Sequence, residues 1–222
     1  MTNIPEMLES IKEIKNSLPE GVTLVAATKT VPADIINLAI EAGLTDIGEN
    51  RPEELCEKYP LLKKDGVRFH IIGGLQTRKV KSVIDKVDMI QSLDRPSLAK
   101  EIDKRSKEIG KITDCLIEIN LGKEEGKSGV CPEDALDFYL SLCEYSNIRI
   151  RGVMAVPPVG KLEEYYNILY KIYADILKKS KNSDKIDIIS VGMSSDYEQA
   201  VSLGSNMVRV GSKIFGKRNY LV

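Results

Sequence analysis

The residue with most chemistry to offer is a lysine at the end of an apolar run. Val22-Thr-Leu-Val-Ala-Ala-Thr-Lys29-Thr30 is apolar or β-branched almost to its end, the pattern of a strand buried on both faces of a parallel sheet. Lys29 stands where such a strand should pass into a loop. An ammonium there needs an anionic partner or a lowered proton affinity, and a lysine neutral enough to attack a carbonyl forms Schiff bases. The competing reading is a lysine that simply caps a strand in solvent.

Two further stretches bear on that choice. Gly192-Met-Ser194-Ser195-Asp196 offers small residues and hydroxyls just before a helical pattern, and Arg209-Val-Gly211-Ser212 ends the last apolar strand. Glycine lets a backbone approach a ligand closely, and backbone N–H groups at a helix start bind anions. Ser194-Ser195-Asp196 could also be an ordinary helix cap. Arg209 could also point outward to an acid on a covering helix. Taken together, a lysine for an aldehyde, a cradle for a phosphate and a fixed cation imply a phosphorylated carbonyl ligand. Pyridoxal 5′-phosphate fits, and so does a sugar phosphate in a Schiff-base aldolase.

The elements that must position these groups follow from periodicity. A helix over about Pro5 to Ser17 places Met7, Leu8, Ile11 and Ile14 on one stripe. Strands are expected at Val22–Lys29, Leu44–Asn50, Val67–Gly74, Val87–Asp94, Ile112–Asn120, Ile148–Val156, Lys185–Met193 and Asn206–Gly211. Helices are expected between them, including Gln76–Asp85 and Pro132–Tyr145, with glycine stops at Gly43 and Gly110. Eight strand–helix alternations give an α/β protein, a single (β/α)8 TIM-type barrel over residues 1–222 with an extra N-terminal helix. A doubly wound open sheet has the same alternation, but the first strand-to-helix turn has no G-x-G-x-x-G fingerprint. In a barrel, Lys29, Asn50, Gly73, Asp94, Asn120, Met154, Ser194 and Arg209 all fall near strand carboxyl ends, so one mouth would collect them.

Composition narrows the function classes. The chain has 32 Lys and Arg against 33 Asp and Glu, so no global field favours nucleic acid or a membrane surface. Its four cysteines have no C-x-x-C spacing and His70 is the one histidine, so no metal set is expected. Free buried thiols are expected in a reducing cytoplasm. His70 reads as a hydrogen-bonded strand histidine, and Tyr165, Tyr166, Tyr170 and Tyr173 read as a packing cluster on one helix.

The motifs form a series. Ala27-Thr-Lys29-Thr30, Ile47-Gly-Glu-Asn50-Arg51, Phe69-His-Ile-Ile-Gly73 with Leu75-Gln76, Lys127-Ser-Gly129, Gly152-Val-Met154-Ala155, Ser190-Val-Gly-Met-Ser-Ser-Asp196 and Val208-Arg-Val-Gly-Ser-Lys-Ile-Phe-Gly216 occur in order. Together they resemble the pyridoxal phosphate homeostasis proteins (the YggS family), over nearly the whole chain. That resemblance implies a fold type III barrel similar to the amino-terminal domain of alanine racemase. It implies pyridoxal 5′-phosphate (PLP) held as a Schiff base on Lys29, with Arg209 facing the pyridine nitrogen. Phosphate contacts carry over to Ser194, Ser195, Gly211 and Ser212, while Asn50 and Met154 would line the ring pocket. Arg78 stands where an asparagine is expected, and Thr28 and Ser212 keep the hydroxyls of a usual serine and threonine.

The implied role is vitamin B6 supply and balance in the cytoplasm, with apo-enzymes that use PLP as recipients and no established catalytic reaction. An arginine effectively never loses its proton, so it keeps the ring nitrogen unprotonated and weakens the ring as an electron sink. A racemase also needs an acid/base group on the opposite face; the sequence runs to Val222, and Tyr220 is a poor substitute. The alternatives are a PLP-dependent amino-acid racemase and a Schiff-base aldolase. Lys79, Lys81 and Lys127 are secondary candidates for docking PLP.

Overall fold

In a computed structural model, which describes residues 3–180 and 185–216, eight parallel strands close on themselves in sequence order. They are β1 (Thr23–Ala27), β2 (Asp46–Glu49), β3 (Arg68–Ile71), β4 (Met89–Leu93), β5 (Thr113–Ile119), β6 (Ile148–Ala155), β7 (Ile188–Ser190) and β8 (Met207–Val210). Closure is direct, because β8 pairs with β1 in the register Val25 to Arg209. The expected (β/α)8 barrel is the observed fold.

Helices α1 (Ile4–Ser17), α2 (Ala33–Glu41), α3 (Pro52–Lys58), α4 (Val80–Val83), α5 (Pro96–Glu108), α6 (Ala135–Leu142), α7 (Leu162–Lys179), α8 (Tyr197–Leu203) and α9 (Ser212–Phe215) accompany the strands. The extra helix α1 packs against α2 and α9, and its Ser17 hydroxyl lies 3.4 Å from the Tyr197 hydroxyl of α8. It therefore covers the seam where β8 meets β1. Met7, Ile11 and Ile14 are buried there, but Leu8 is exposed, so the stripe is narrower than expected. Each buried side chain contributes about 1.5–3 kcal/mol as an upper estimate.

Strand alternation sorts the side chains into two layers. Ile117 and Ile119 of β5, Val153 and Ala155 of β6, and Val208 and Val210 of β8 face the helices. Val25, Ile72, Met89, Leu116, Met154, Ile188 and Met207 fill the barrel interior. The sequence expectation of strands buried on both faces thus holds.

Element ends differ for local reasons. The expected helix at Gln76–Asp85 is a 3-10 turn (Thr77–Lys79) followed by α4, because Lys86 and Val87 donate back to the Val83 carbonyl and turn the chain into β4. The start of the expected Pro132–Tyr145 helix is likewise a 3-10 turn, Pro132–Asp134. β7 is short, Ile188–Ser190, although backbone bonds to β8 continue through Val191 N–H to the Met207 carbonyl (3.2 Å) and Arg209 N–H to the Gly192 carbonyl (3.0 Å). Gly192, at φ +104°, then turns the chain. A Cβ there would lie 2.6 Å from the Ala200 Cβ of α8. The cysteines are free, but of the four only Cys115 is fully buried, and Cys143 is exposed.

Candidate functional site

Lys29 lies two residues beyond β1, in a turn that buried polar groups clamp. Thr28 donates its N–H to the Gly48 carbonyl (3.0 Å) and its hydroxyl to Glu49 Oε1 (2.8 Å). Lys58 Nζ, on α3, reaches the Thr28 carbonyl (2.8 Å), Glu49 (2.7 Å) and Glu54 (2.6 Å). Glu54 also accepts the N–H of Thr30, whose φ of +64° places it in the left-handed region. Burial pushes the Glu49 carboxyl up, and Lys58 opposes that rise. The turn is therefore fixed from below, while the half-buried Lys29 side chain makes no hydrogen bond or ion pair with another described residue. Among the described residues no anionic partner holds it there.

A cavity of about 500 Å³ opens beside it, lined by Lys29, Asn50, Ser194, Ser195, Arg209, Gly211 and Ser212 together with Ala27, Ile72, Val156, Met193 and Lys213. That volume falls in the range of small-molecule sites, about 300–1,000 Å³. Asn50 is drawn in by Gly73, where a Cβ would meet the Asn50 carbonyl at 2.5 Å.

The loops after β7 and β8 meet at Ser194, whose Oγ accepts the N–H of Gly211 (3.1 Å) and of Lys213 (3.3 Å). Those donors converge on a single oxygen, the arrangement a phosphoryl oxygen needs. Asp196, the last residue of the stretch that could be a helix cap, stands at the N-cap of α8 but makes no side-chain bond to the helix; its carboxylate accepts the Met193 N–H at 2.6 Å instead. Lys213 Nζ is shared between the Tyr197 hydroxyl (3.1 Å) and Glu198 (3.3 Å). Lys213 escaped the sequence reading, although it directly follows Gly211-Ser212.

Arg209 points into the barrel and not toward the helices. It is 4% exposed, and its guanidinium donates to the Ser190 carbonyl (2.9 Å), the Ser190 hydroxyl (2.6 Å) and the Ala155 carbonyl (2.9 Å). Burial lowers its pKa to about 10, against the attraction of Glu118 and Asp196. Beneath it lies a buried polar chain. The Ser190 hydroxyl donates to Gln91 Oε1 (2.8 Å), Gln91 Nε2 lies 3.2 Å from His70 Nδ1, and His70 Nε2 lies 2.9 Å from Asp46 Oδ1. Burial pushes the Asp46 carboxyl up, but His70 and Arg68 outweigh it and hold the carboxyl below its ordinary range. His70 is the hydrogen-bonded strand histidine expected.

Met154 does not line this cavity. It is fully buried in the interior layer, and Val156, the next inward position along β6, stands at the rim. The secondary lysines also lie elsewhere: Lys79 pairs with Glu53 and Lys127 with Glu124, and Lys81 is exposed. On α7, Tyr166 is buried and stacks near Tyr170, while Tyr173 donates to the Ile186 carbonyl. Tyr220 lies outside the described residues.

The family model for "Alanine racemase, N-terminal domain" matches residues 3–219. The pyridoxal phosphate homeostasis protein of Aquifex aeolicus is 40% identical over 201 residues, 89% of this chain and 87% of that protein. Its counterpart from Haemophilus influenzae is 34% identical over 222 residues, 98% of this chain and 94% of that one. The chain belongs to the pyridoxal phosphate homeostasis family. PipY of Synechococcus elongatus, solved with PLP bound, superposes with a TM-score of 0.85 at 28% identity, covering 95% of this chain and 100% of PipY. Alanine racemase of Clostridium difficile shares the fold, with a TM-score of 0.77 at 18% identity over 99% of this chain and 59% of the racemase. No helix among the described residues is long and apolar enough to cross a membrane.

Proposed function

We propose that this chain holds pyridoxal 5′-phosphate reversibly in the mouth of its barrel, through the Lys29 amine, and serves vitamin B6 homeostasis in the cytoplasm. The observation that carries this reading is the one cavity shared by an amine unpaired among the described residues, a buried guanidinium and a convergent set of N–H donors. The donor set fits the group: an amine for its aldehyde, N–H and hydroxyl groups for its phosphate, and a fixed cation for its ring nitrogen. When bound, the group supplies an aldehyde that amines capture and release. Lys29 provides the capturing amine on a turn that cannot drift. Ser194, Ser195, Gly211, Ser212 and Lys213 anchor the anionic end, and Asn50 flanks the middle of the cavity. Arg209, held by Ser190 and Ala155, orients the ring and keeps its nitrogen unprotonated. Recipients of the released group would be apo-enzymes that use it.

The test is direct. Purified protein incubated with PLP should gain near-visible absorbance, and borohydride should leave a pyridoxyl group on the peptide carrying Lys29. Lys29→Ala should abolish both. A wild type that stays colourless at saturating PLP, or a label on Lys79, Lys81 or Lys127 alone, refutes the assignment. Assaying inversion of L-alanine by the same sample tests the racemase alternative.

A further inference from the structure

The chain of buried polar groups beneath Arg209 begins at a pure donor and ends at a pure acceptor. A guanidinium has no acceptor and an ionised carboxylate has no proton to give, so with a neutral His70 the direction of every bond between them is set. Arg209 Nη1 donates to Ser190 Oγ at 2.6 Å. The Ser190 proton is then free for Gln91 Oε1 at 2.8 Å. With its oxygen so used, the Gln91 amide turns Nε2 toward His70 Nδ1 at 3.2 Å and toward Met207 Sδ at 3.2 Å. His70 Nδ1 must accept, which leaves the ring proton on Nε2, facing Asp46 Oδ1 at 2.9 Å. Asp46 is further committed as an acceptor by Arg68 at 2.9 Å and by the Thr45 hydroxyl at 2.9 Å. Flipping the Gln91 amide while His70 stays neutral would set the bare Nε2 against the carboxylate, two acceptors face to face. Ser190, Gln91, His70 and Asp46 are each at most 2% exposed, so water cannot replace a broken member.

We infer that Asp46, His70, Gln91 and Ser190 form a one-way hydrogen-bond relay that positions Arg209 at the cavity and couples it to His70, held as the Nε2–H tautomer. This rests on the proposed function for the identity of the ligand, but the relay itself is a property of the ligand-free barrel. Each link polarises the next, so a ligand atom that accepts from Arg209 alters the donor strength felt at His70 Nδ1. Ser190, Gln91, His70 and Asp46 are positioning residues that touch the ligand only through Arg209.

His70 is the single histidine of the chain, so ¹⁵N-histidine NMR reads the far end of the relay without overlap. In ligand-free wild type, coupling patterns should assign the proton to Nε2. Adding PLP should move the Nδ1 resonance, and Ser190→Ala should remove that movement while Lys29 still captures PLP. Gln91→Glu, nearly isosteric, puts an acceptor on each side of His70 and should convert it to the doubly protonated ring near neutral pH. Gln91→Leu and Ser190→Ala should each weaken PLP binding about tenfold, the scale of a bond to a charged group. Circular dichroism separates these effects from misfolding. An Nδ1–H tautomer in the wild type, or a His70 ring unmoved by Gln91→Glu, overturns the relay. Failure of Lys29 to capture PLP would defeat only the proposed ligand, because the tautomer and Gln91→Glu measurements use ligand-free protein.

Discussion

Glu118 offers the sharpest test of how the barrel interior handles charge. It faces inward from β5, since its neighbours Ile117 and Ile119 pack toward the helices, and its Oε2 is shielded from solvent with no hydrogen-bond partner among the described residues. Burial, helped by the negative charge of Asp94 and opposed by Arg209, raises its pKa from 4.5 to about 7. At about 1.4 kcal/mol per tenfold change in proton affinity, ionised Glu118 costs the folded state about 3 kcal/mol. Below pH 4.5 the carboxyl is protonated in both folded and unfolded chains and costs nothing. As pH rises from 4.5 to 7 the unfolded chain loses its proton first, so stability falls, and above 7 the full cost is present. Glu118→Gln removes that cost; the attraction of Arg209 is already contained in the value of about 7, so the net gain at pH 8.5 is about 3 kcal/mol. For a chain of this size that is about 6–12 °C in Tm. Urea titrations of ligand-free protein at pH 4.5 and 8.5 should show coincident midpoints at the lower pH and separated ones at the higher. An equal gap at both values, or one that opens only in acid, would refute the reasoning.

Other perturbations probe the rest of the site. Lys58→Met leaves the buried Glu49 carboxylate without its cation and should cost about 3 kcal/mol in urea titration, most of it recovered by adding Glu49→Gln. Gly192→Ala forces a side chain into φ +104° and against Ala200. It should lower stability by about 3 kcal/mol and weaken capture of PLP, measured by titration of the absorbance. Native protein should react with a thiol reagent at exposed Cys143 well before Cys115, whose thiol burial pushes up; peptide mapping at early times reads the order.

How far the sequence carried depended on whether neighbours in the chain or neighbours in the closed sheet were needed. Continuous apolar strands and glycine stops sufficed for the barrel, because burial on both faces leaves a local signature. Lys29, Arg209 and the serine and glycine turns were legible because a barrel sends all strand ends to one mouth. Met154 was read correctly for its strand but one inward layer too high. Alternation tells which way a residue points, whereas barrel stagger decides how high it stands. Gln91 and Ser190 are 99 residues apart in sequence, so their link could not be read before strand register was known. Glu118 is one acidic residue between Ile117 and Ile119 in the sequence; its raised proton affinity comes first from burial and then from Asp94, against the pull of Arg209, and all three depend on the closed barrel.

The two cations at the mouth are restrained in opposite ways, and that contrast bears on what the site can do. At Lys29 the backbone is clamped, through Thr28, Thr30, Glu49, Glu54 and Lys58, while the side chain is left free. At Arg209 the side chain itself is pinned, by three hydrogen bonds to Ser190 and Ala155. A pinned guanidinium and a fixed set of N–H donors set where a ligand sits, so the Lys29 amine, unbonded among the described residues, is not needed for orientation and can engage and disengage. Capture and placement are then separable. Lys29→Ala should lose the borohydride-stable adduct yet still take up PLP from solution in equilibrium dialysis, with weaker affinity. Ser194→Ala should show the reverse, an adduct that forms at Lys29 but needs more PLP to saturate. If Lys29→Ala lost all uptake, the amine would be supplying the placement as well, and the division of labour between turn and seam would be wrong.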